Sequence, residues 1–213
     1  MIFVSIWFME VTIIVSLIVL LFSIIIHEVA HGSVAYSLGD STAKDAGRLT
    51  LNPINHLDPI GSIILPVFLI FLDGPIIGWA KPVPINPYNF NDQKWGDVKV
   101  SIAGPLANFS LALIFGLLVM FIDLPESFLV VSLLVIFYNI VLGLFNLIPI
   151  PPLDGSHILF SLLGDKAIGF KRVLEQYGFF FLLLLIFLIP GGINWIFDLA
   201  SQAVYLFSGQ LLF

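Results

Sequence analysis

The residues best suited to chemistry are two histidines and a glutamate in the segment HEVAH, at positions 27–31. Residues four apart lie about 40° apart around an α-helix, so the His27 and His31 imidazoles face one way and can share a metal ion. Glu28 lies about 100° round from His27 and can reach a water molecule beside that ion. The spacing therefore predicts a zinc site with Glu28 as its catalytic base.

A third metal ligand must come from elsewhere, because a catalytic zinc takes three protein ligands and keeps one position open. The pattern HExxHxxGxxH is excluded, since Val34 and Ser37 stand where it needs glycine and histidine. The next glutamate downstream is Glu126, in a loop that we expect at the opposite membrane face. The best remaining carboxylate is Asp154, beside the proline-rich helix break of NLIPIPPLDG. Alone, Asp154 also fits a helix N-cap after a proline turn, but the two histidines favour its being a ligand.

The elements that position these residues are predicted to be membrane helices. Of the 213 residues, 59% are apolar and only 10% are charged, whereas soluble globular proteins have roughly 25% charged residues. Such a chain cannot cover a water-facing surface with charge, so a lipid bilayer is its expected surroundings. The chain has no cysteine, which excludes a thiolate metal site, and no basic stripe, which argues against nucleic acid as a partner.

Apolar segments predict an α-helical integral membrane protein, a polytopic bundle of about five to six membrane segments. The segments lie at 11–38, 60–72, 98–122, 128–148, 177–189 and 193–213. Polar and apolar residues alternate in Arg48–Leu51, which predicts a short strand. With it we expect a small membrane-associated β-hairpin or sheet. We expect 1–213 to form a single membrane-embedded peptidase domain, with a catalytic core at about 10–160 and a C-terminal helical hairpin at about 177–213.

The basic residues indicate how the chain crosses the membrane. All eight fall in three places: Lys44 and Arg48; Lys81, Lys94 and Lys99; Lys166, Lys171 and Arg172. Because positively charged loops stay in the cytoplasm, the three clusters share one side only if Ile60–Trp79 is a re-entrant segment. We therefore expect a multi-pass protein of the plasma membrane, with its site towards the cytoplasm.

Together, the motifs resemble those of the site-2 protease family of intramembrane zinc metalloproteases. HEVAH and NLIPIPPLDG carry the resemblance, with AGPLANF between them; GRLTLNP and GWAKPVPINP resemble its compact branch. The resemblance implies one Zn²⁺ per chain on His27, His31 and Asp154, with Glu28 as base and Asn146 steadying the tetrahedral intermediate. It also implies an endopeptidase that cuts membrane proteins with a single transmembrane helix. The length leaves no room for the PDZ or CBS domain of larger members.

A second set of residues is predicted to hold substrate, because a helical substrate must be unwound before it is cut. In KPVPI, at positions 81–85, prolines at alternate positions remove donors from one edge of a strand only. The N–H groups of Val83 and Ile85 could then pair with an extended substrate beside Lys81; a rigid proline-rich loop is the alternative. Asn108 could also contact substrate, although AGPLAN is typical of closely packed helices. Asn139 could form an interhelical hydrogen bond.

Other functions stay open from the sequence. A membrane zinc peptidase of another class would need a glutamate or histidine as third ligand, which the sequence does not offer. A transporter could line an ion path with His27, Glu28 and His31, but it would be expected to have repeated halves, and the sequence has no internal repeat. A protease-like scaffold without activity is disfavoured by the intact Glu28.

Overall fold

The computed structural model describes residues 2–58, 81–164 and 168–209, with positions 64 and 68, and describes side chains from residue 12 onward. This part of the chain is mostly helical. Its α-helices are α1 (Ile2–Ser37), α2 (Thr42–Asp45), α3 (Gly96–Phe121), α4 (Glu126–Asn146), α5 (Asp154–Leu163), α6 (Ile168–Phe187) and α7 (Asn194–Ser208). Two short 3₁₀ helices, Pro53–His56 and Pro87–Asn89, lie in the loops.

Three of the described helices are long and apolar enough to cross a membrane. They are Thr12–Ser37 within α1, with mean hydropathy 2.6, α3 with 2.0 and α4 with 2.6. Large apolar side chains stay exposed along them, such as Leu17 on α1, Ile114 on α3 and Phe128 on α4. A surface of this kind fits lipid rather than water. The predicted α-helical membrane protein is thereby confirmed in its main feature; the count of five to six segments stays a prediction.

The spanning helices pack together and bring the two sequence motifs to one place. α3 contacts both α1 and α4, and α4 packs against α7. An apolar core between α4 and α7 contains Leu133, Ile136 and Phe137 of α4 with Ala200 and Val204 of α7. Because α1 and α4 pack directly against each other, the ends of both helices that carry the motifs can meet.

Two local predictions differ from the structure. Arg48–Leu51 forms a bend, and no strand occurs among the described residues, because local groups take the backbone that a strand would pair. His56 Nε2 donates to the Thr50 carbonyl at 2.8 Å, and the Asn52 side chain accepts from Ile54 N at 3.1 Å. The predicted apolar segment at 177–189 is part of a longer helix, because α6 begins at Ile168. The separation of the predicted segments 177–189 and 193–213 is confirmed, since Pro190–Gly192 lies between α6 and α7.

The predicted re-entrant segment Ile60–Trp79 lies outside the described residues, apart from positions 64 and 68. The chain on its two sides is nevertheless close together. Lys81 N donates to the His56 carbonyl at 2.9 Å. Residues 56 and 81 are therefore neighbours in space, on either side of this segment.

Candidate metal centre

Two helices bring the predicted ligands together. His27 and His31 lie one turn apart on α1, and Asp154 is the first residue of α5. Their ligand atoms lie within 4.8 Å of one another. Asp154 is not an N-cap, because Leu153 occupies that position. The two motifs, more than a hundred residues apart in sequence, thus converge as expected, and we call these three side chains the metal cluster.

The separations within the metal cluster fit a zinc ion. His27 Nε2 lies 3.0 Å from His31 Nε2, and Asp154 Oδ2 lies 3.1 Å and 3.3 Å from these nitrogens. Zinc–ligand bonds of about 2.0–2.2 Å in a tetrahedron would separate neighbouring ligand atoms by about 3.3–3.6 Å. The three atoms therefore need to move apart by only a few tenths of an ångström to share one ion.

Both imidazoles have their other nitrogen engaged. His27 Nδ1 lies 2.6 Å from Asn108 Oδ1, and His31 Nδ1 lies 2.7 Å from the Val100 carbonyl oxygen. An oxygen of either kind accepts a hydrogen, so each Nδ1 carries one and each neutral ring has its lone pair on Nε2. Two lone pairs and a carboxylate then face one another without a hydrogen between them, an arrangement that a cation stabilises.

The metal cluster is buried, but space remains beside its histidine nitrogens. His27 and His31 are 5% and 6% exposed, and Asp154 Oδ2 is buried without a hydrogen-bond partner among the described residues. A Cβ added to Gly104 of α3 would lie 2.6 Å from His27 Nε2 and would also overlap His31 Nε2. Glycine therefore keeps open the space beside both nitrogens. On donor chemistry, geometry and space, the residues present fit zinc.

Glu28 is held beside the metal cluster by Val83, which follows it by fifty-five positions in the sequence. Its Oε2 accepts a hydrogen bond of 2.8 Å from Val83 N. This bond orients one carboxylate oxygen and leaves Oε1 for a proton. Val83, 7% exposed, also packs near Gly32 of α1. The predicted pairing of the Val83 N–H with substrate is therefore wrong for this structure, because Glu28 already accepts from that group.

We call residues 81–91 the strap. The Arg48 guanidinium donates to the Lys81 carbonyl at 2.6 Å, and Asn91 N donates to the Leu38 carbonyl at 2.7 Å. Lys81 is exposed, and Ile85 packs beside the core formed by Ala35, Phe90 and Val100. Residues 81–86 form neither helix nor strand nor turn. An irregular segment, held by these bonds, thus lies next to the glutamate.

Asp40 is the chief anchor of the strap, and sequence reasoning missed it. This residue is fully buried and accepts from Asn86 N at 2.8 Å and from Asn89 Nδ2 at 2.8 Å, besides the amide and hydroxyl of Thr42. Burial alone would raise the pKa of Asp40, but these donors outweigh it and hold the pKa below its usual value of 3.8. Gly39, with φ of 104°, turns the chain sharply after α1 and places Asp40 beneath the strap.

Two further predicted site residues are Asn146 and Asn108. Asn146, at the end of α4, donates from its amide to the Leu142 carbonyl at 3.0 Å, so its contact with a reacting group stays a prediction. Asn108 is fully buried and contacts His27, which gives it a different role from the predicted substrate contact. The AGPLAN motif pointed to close packing, but the partner of Asn108 was not visible in it.

Gly155 and His157 complete the surroundings of Asp154. A Cβ on Gly155 would overlap the Leu147 carbonyl and lie 2.6 Å from the Ile148 carbonyl oxygen, so glycine lets α5 start directly against the end of α4. His157 Nδ1 lies 3.7 Å from an Asp97 carboxylate oxygen, and this neighbour raises the pKa of His157 against the effect of burial.

Comparisons with known proteins agree with this geometry. Residues 124–185 match peptidase family M50. The chain is 43% identical over 188 residues to YwhC of Bacillus subtilis, which is named as a candidate zinc metalloprotease, covering 82% of this chain and 80% of the relative. It is 32% identical over 203 residues to Rip2 of Mycolicibacterium smegmatis, named in the same way, covering 90% and 76%. Zinc metalloprotease MJ0392 of Methanocaldococcus jannaschii is 27% identical over 152 residues, 71% of this chain and 35% of the relative. No solved structure was found to match.

Proposed function

The chain belongs to peptidase family M50, the site-2 protease family, and is a zinc metalloendopeptidase; on that premise we propose that it cuts peptide bonds within the transmembrane segment of a single-span membrane protein. In this proposal His27, His31 and Asp154 hold the zinc and Glu28 is the catalytic base. Three side chains of zinc-ligand type beside Glu28 are not expected in a transporter, and the intact Glu28 disfavours an inactive scaffold. Membership of family M50 argues against a zinc peptidase of another class.

The observation that carries the proposal is the depth of the metal cluster in the helix bundle. His27 lies ten residues before the end of α1, which is about 15 Å along the helix. His27 and His31 are 5% and 6% exposed and lie against Gly104 of α3. A peptide bond that reaches them must come from a chain inside the bundle, and a transmembrane segment is the substrate already at that depth.

The chemistry divides between the metal and the chain's own residues. When bound, zinc polarises the scissile carbonyl and makes a nearby water molecule more acidic. Glu28 takes a proton from that water on Oε1 while Val83 N–H holds Oε2, and the carboxyl group then passes the proton to the leaving amine. The Asn146 amide, at the end of α4, would donate to the oxyanion once its bond to Leu142 is exchanged.

Substrate presentation is assigned to the strap. An unwound substrate exposes backbone groups that need partners inside a membrane. The backbone at 81–86, which forms no helix, would offer an edge, with Ile85 as its donor and Lys81 at its exposed end. Val83 contributes by holding Glu28 at that edge.

The proposed orientation places the metal cluster near the cytoplasmic face of the plasma membrane. Each of the three basic groups contains one residue suited to the test: Lys44, Lys94 or Lys171. Glu126 is the first residue of α4, at the end of that helix away from the motif NLIPIPPLDG. Since the chain has no cysteine, single cysteines at these four positions can be labelled without background. Positions 44, 94 and 171 should react from the cytoplasmic side and position 126 from the other; labelling of 94 from outside would contradict the orientation.

The direct experiment is cleavage of a panel of single-span helices by purified protein in bilayers. The wild type should cut at least one of them inside its apolar span, and Glu28→Gln should abolish cleavage while zinc stays bound. Glu175→Gln, an exposed change on α6, is the matched control and should cut normally. Cleavage confined to soluble peptides, or cleavage retained in Glu28→Gln, would refute the proposal.

A further inference from the structure

Behind His27 lies a chain of buried polar side chains from three spanning helices. It consists of Asn108 on α3, Asn139 on α4 and Ser23 on α1, which are 0%, 0% and 3% exposed. Polar groups are costly to bury in a membrane protein and are usually hydrogen-bonded to one another across helices. A network of this kind can serve simply to join helices, but here it ends on a predicted zinc ligand.

The order of donors and acceptors along this network is fixed, because it starts at backbone carbonyls, which can only accept. Asn139 Nδ2 lies 2.9 Å from the Val135 carbonyl oxygen, which can only accept, and 2.8 Å from Ser23 Oγ. The Ser23 hydroxyl donates to the Val19 carbonyl at 2.8 Å, so its oxygen is left as the acceptor for Asn139. The NH₂ end of Asn139 must therefore face these groups, and its Oδ1 faces Asn108.

The same reasoning orients Asn108. Its Nδ2 donates to Asn139 Oδ1 at 2.7 Å and points to the Ser23 carbonyl at 3.4 Å. Its Oδ1 is thereby turned to His27 Nδ1, 2.6 Å away. An amide oxygen only accepts, so His27 must carry its hydrogen on Nδ1 and its lone pair on Nε2, the atom that faces His31 and Asp154.

We propose that Asn139 selects the metal-binding tautomer of His27 by fixing the orientation of the Asn108 amide. Asn108 and Asn139 are then positioning residues, and the inference rests on His27 being the zinc ligand proposed above. If the Asn108 amide were free to turn, its NH₂ group would face His27 Nδ1. That nitrogen would then accept, and the hydrogen would move to Nε2, where it would block the metal.

The tautomer can be read directly in metal-free protein by ¹⁵N NMR of histidine-labelled samples, because the chain has only four histidines. His56 supplies an internal reference of the other kind, since its Nε2 donates to the Thr50 carbonyl. Wild-type His27 should show a protonated Nδ1, and Asn139→Leu should shift a large fraction to a protonated Nε2. A protonated Nε2 on His27 in the wild type would overturn the inference, whatever the variants do.

Zinc affinity provides the second measurement, by competition with a chelator. Partners behind a zinc-bound histidine typically change affinity 10- to 100-fold. Asn139→Leu should lose about tenfold although residue 139 contacts no ligand, and Asn108→Leu about tenfold or more. Ser132→Ala removes another buried polar group of α4, which donates to the Phe128 carbonyl of its own helix, and should leave zinc affinity unchanged.

A double variant, Asn108→Asp with Asn139→Leu, separates orientation from helix packing. The Asn108→Asp change puts an acceptor oxygen towards His27 in either orientation of the carboxylate, so no partner is needed to keep the hydrogen on His27 Nδ1. Zinc affinity and the Nδ1 tautomer should therefore return, although the link to α4 stays broken. Loss of zinc in a folded double variant, or full affinity in Asn139→Leu, would show that the network only joins helices.

The ligand assignment itself needs a separate test, so that its failure can be told from failure of the network. His27→Ala should lose zinc whatever the state of Asn108 and Asn139. If this variant keeps its zinc, the proposed function fails rather than the network.

Discussion

The metal cluster and the strap meet at Glu28 but are held in place in different ways. His27 and His31 belong to a spanning helix, and each has its Nδ1 bonded to α3. The strap contains only a short 3₁₀ helix, and its backbone groups bond to the side chains of Glu28, Asp40 and Arg48.

This difference indicates a division of work. The ligand atoms need fixed positions within a few tenths of an ångström, which packed helices provide. In its proposed role the strap pairs with a substrate of variable sequence through backbone groups, which do not depend on the side chains of the substrate. We therefore expect changes on the metal side to act on zinc, and changes on the strap side to act on turnover with zinc retained.

The largest expected effect is loss of a ligand. His27→Ala, His31→Ala and Asp154→Ala should each lower zinc affinity by more than the 10- to 100-fold typical of residues behind a ligand, and should abolish cleavage. Zinc per chain and chelator competition measure this. Asp58→Ala, a carboxylate outside the cluster, is the control; if it loses zinc while Asp154→Ala keeps it, the third ligand is misassigned.

Gly104→Ala should lower zinc binding by filling the space beside the two histidine rings. Its Cβ would lie 2.5 Å from His27 Cε1 and would overlap His31 Nε2, so the rings must move. Overpacking of this kind costs about 1–3 kcal/mol, and here it should also remove zinc. Gly116→Ala, on the same helix, would meet the Phe207 ring at 2.6 Å. It should lower the unfolding temperature comparably while zinc stays bound; equal zinc loss in both variants would contradict the assignment.

Asp40→Asn should loosen the strap and spare the metal. A hydrogen bond to a charged group contributes about 1.5–3 kcal/mol, so protease resistance of the strap and the unfolding temperature should fall while zinc content does not. Asp45→Asn, an exposed change nearby, is the control. Zinc loss in Asp40→Asn would remove the distinction between the two regions.

The pH dependence of Asp40 sharpens the same test. The folded pKa lies below the usual 3.8, so the stabilisation is fully present above that value and is lost as the pH falls through the folded pKa. The stability difference between wild type and Asp40→Asn should thus stay constant at neutral pH and shrink below about pH 4. A difference that grows on acidification would contradict the sign.

The smallest effects are expected from single donors of the strap. Proline at 85 removes one N–H, worth about 0.5–1.5 kcal/mol, so turnover should fall roughly two- to tenfold. Proline at 83 removes the donor to the Glu28 carboxylate, worth about 1.5–3 kcal/mol, so the fall there should be roughly ten- to a hundredfold. Val83→Pro should act on kcat, because Glu28 loses its partner, and Ile85→Pro on KM. A substrate with glycine or proline near its cut site should be cut faster by the wild type, since it needs less unwinding. Unchanged kinetics in folded variants would show that the strap is only a loop.

Much of the site could be predicted because its signals are local. The spacing of His27 and His31 places both on one helix face whatever surrounds them. The prolines before Asp154 end a helix by chemistry that does not depend on tertiary contacts. Long apolar runs likewise predict α1, α3 and α4, since backbone groups in lipid must be satisfied within the helix.

Other predictions failed where a side chain from another position bonds to a backbone group that the pattern left free. The alternation at Arg48–Leu51 favours a strand, but the Thr50 carbonyl accepts from the His56 side chain, six positions away. The proline pattern predicted a strand edge at 81–85, but these residues form no strand, and Glu28, fifty-five positions away, takes the Val83 donor.

The sequence by itself determined the ligand types, their order and the apolar helices that carry them, because residue chemistry and helical periodicity need no partner. Only the tertiary structure decided which atoms face each other. It turned Asn108 towards His27 rather than substrate, opened the space at Gly104 and buried Asp40 beneath the strap. The reason is that hydrogen-bond direction and close packing are properties of pairs, and these pairs form only when helices far apart in sequence pack together.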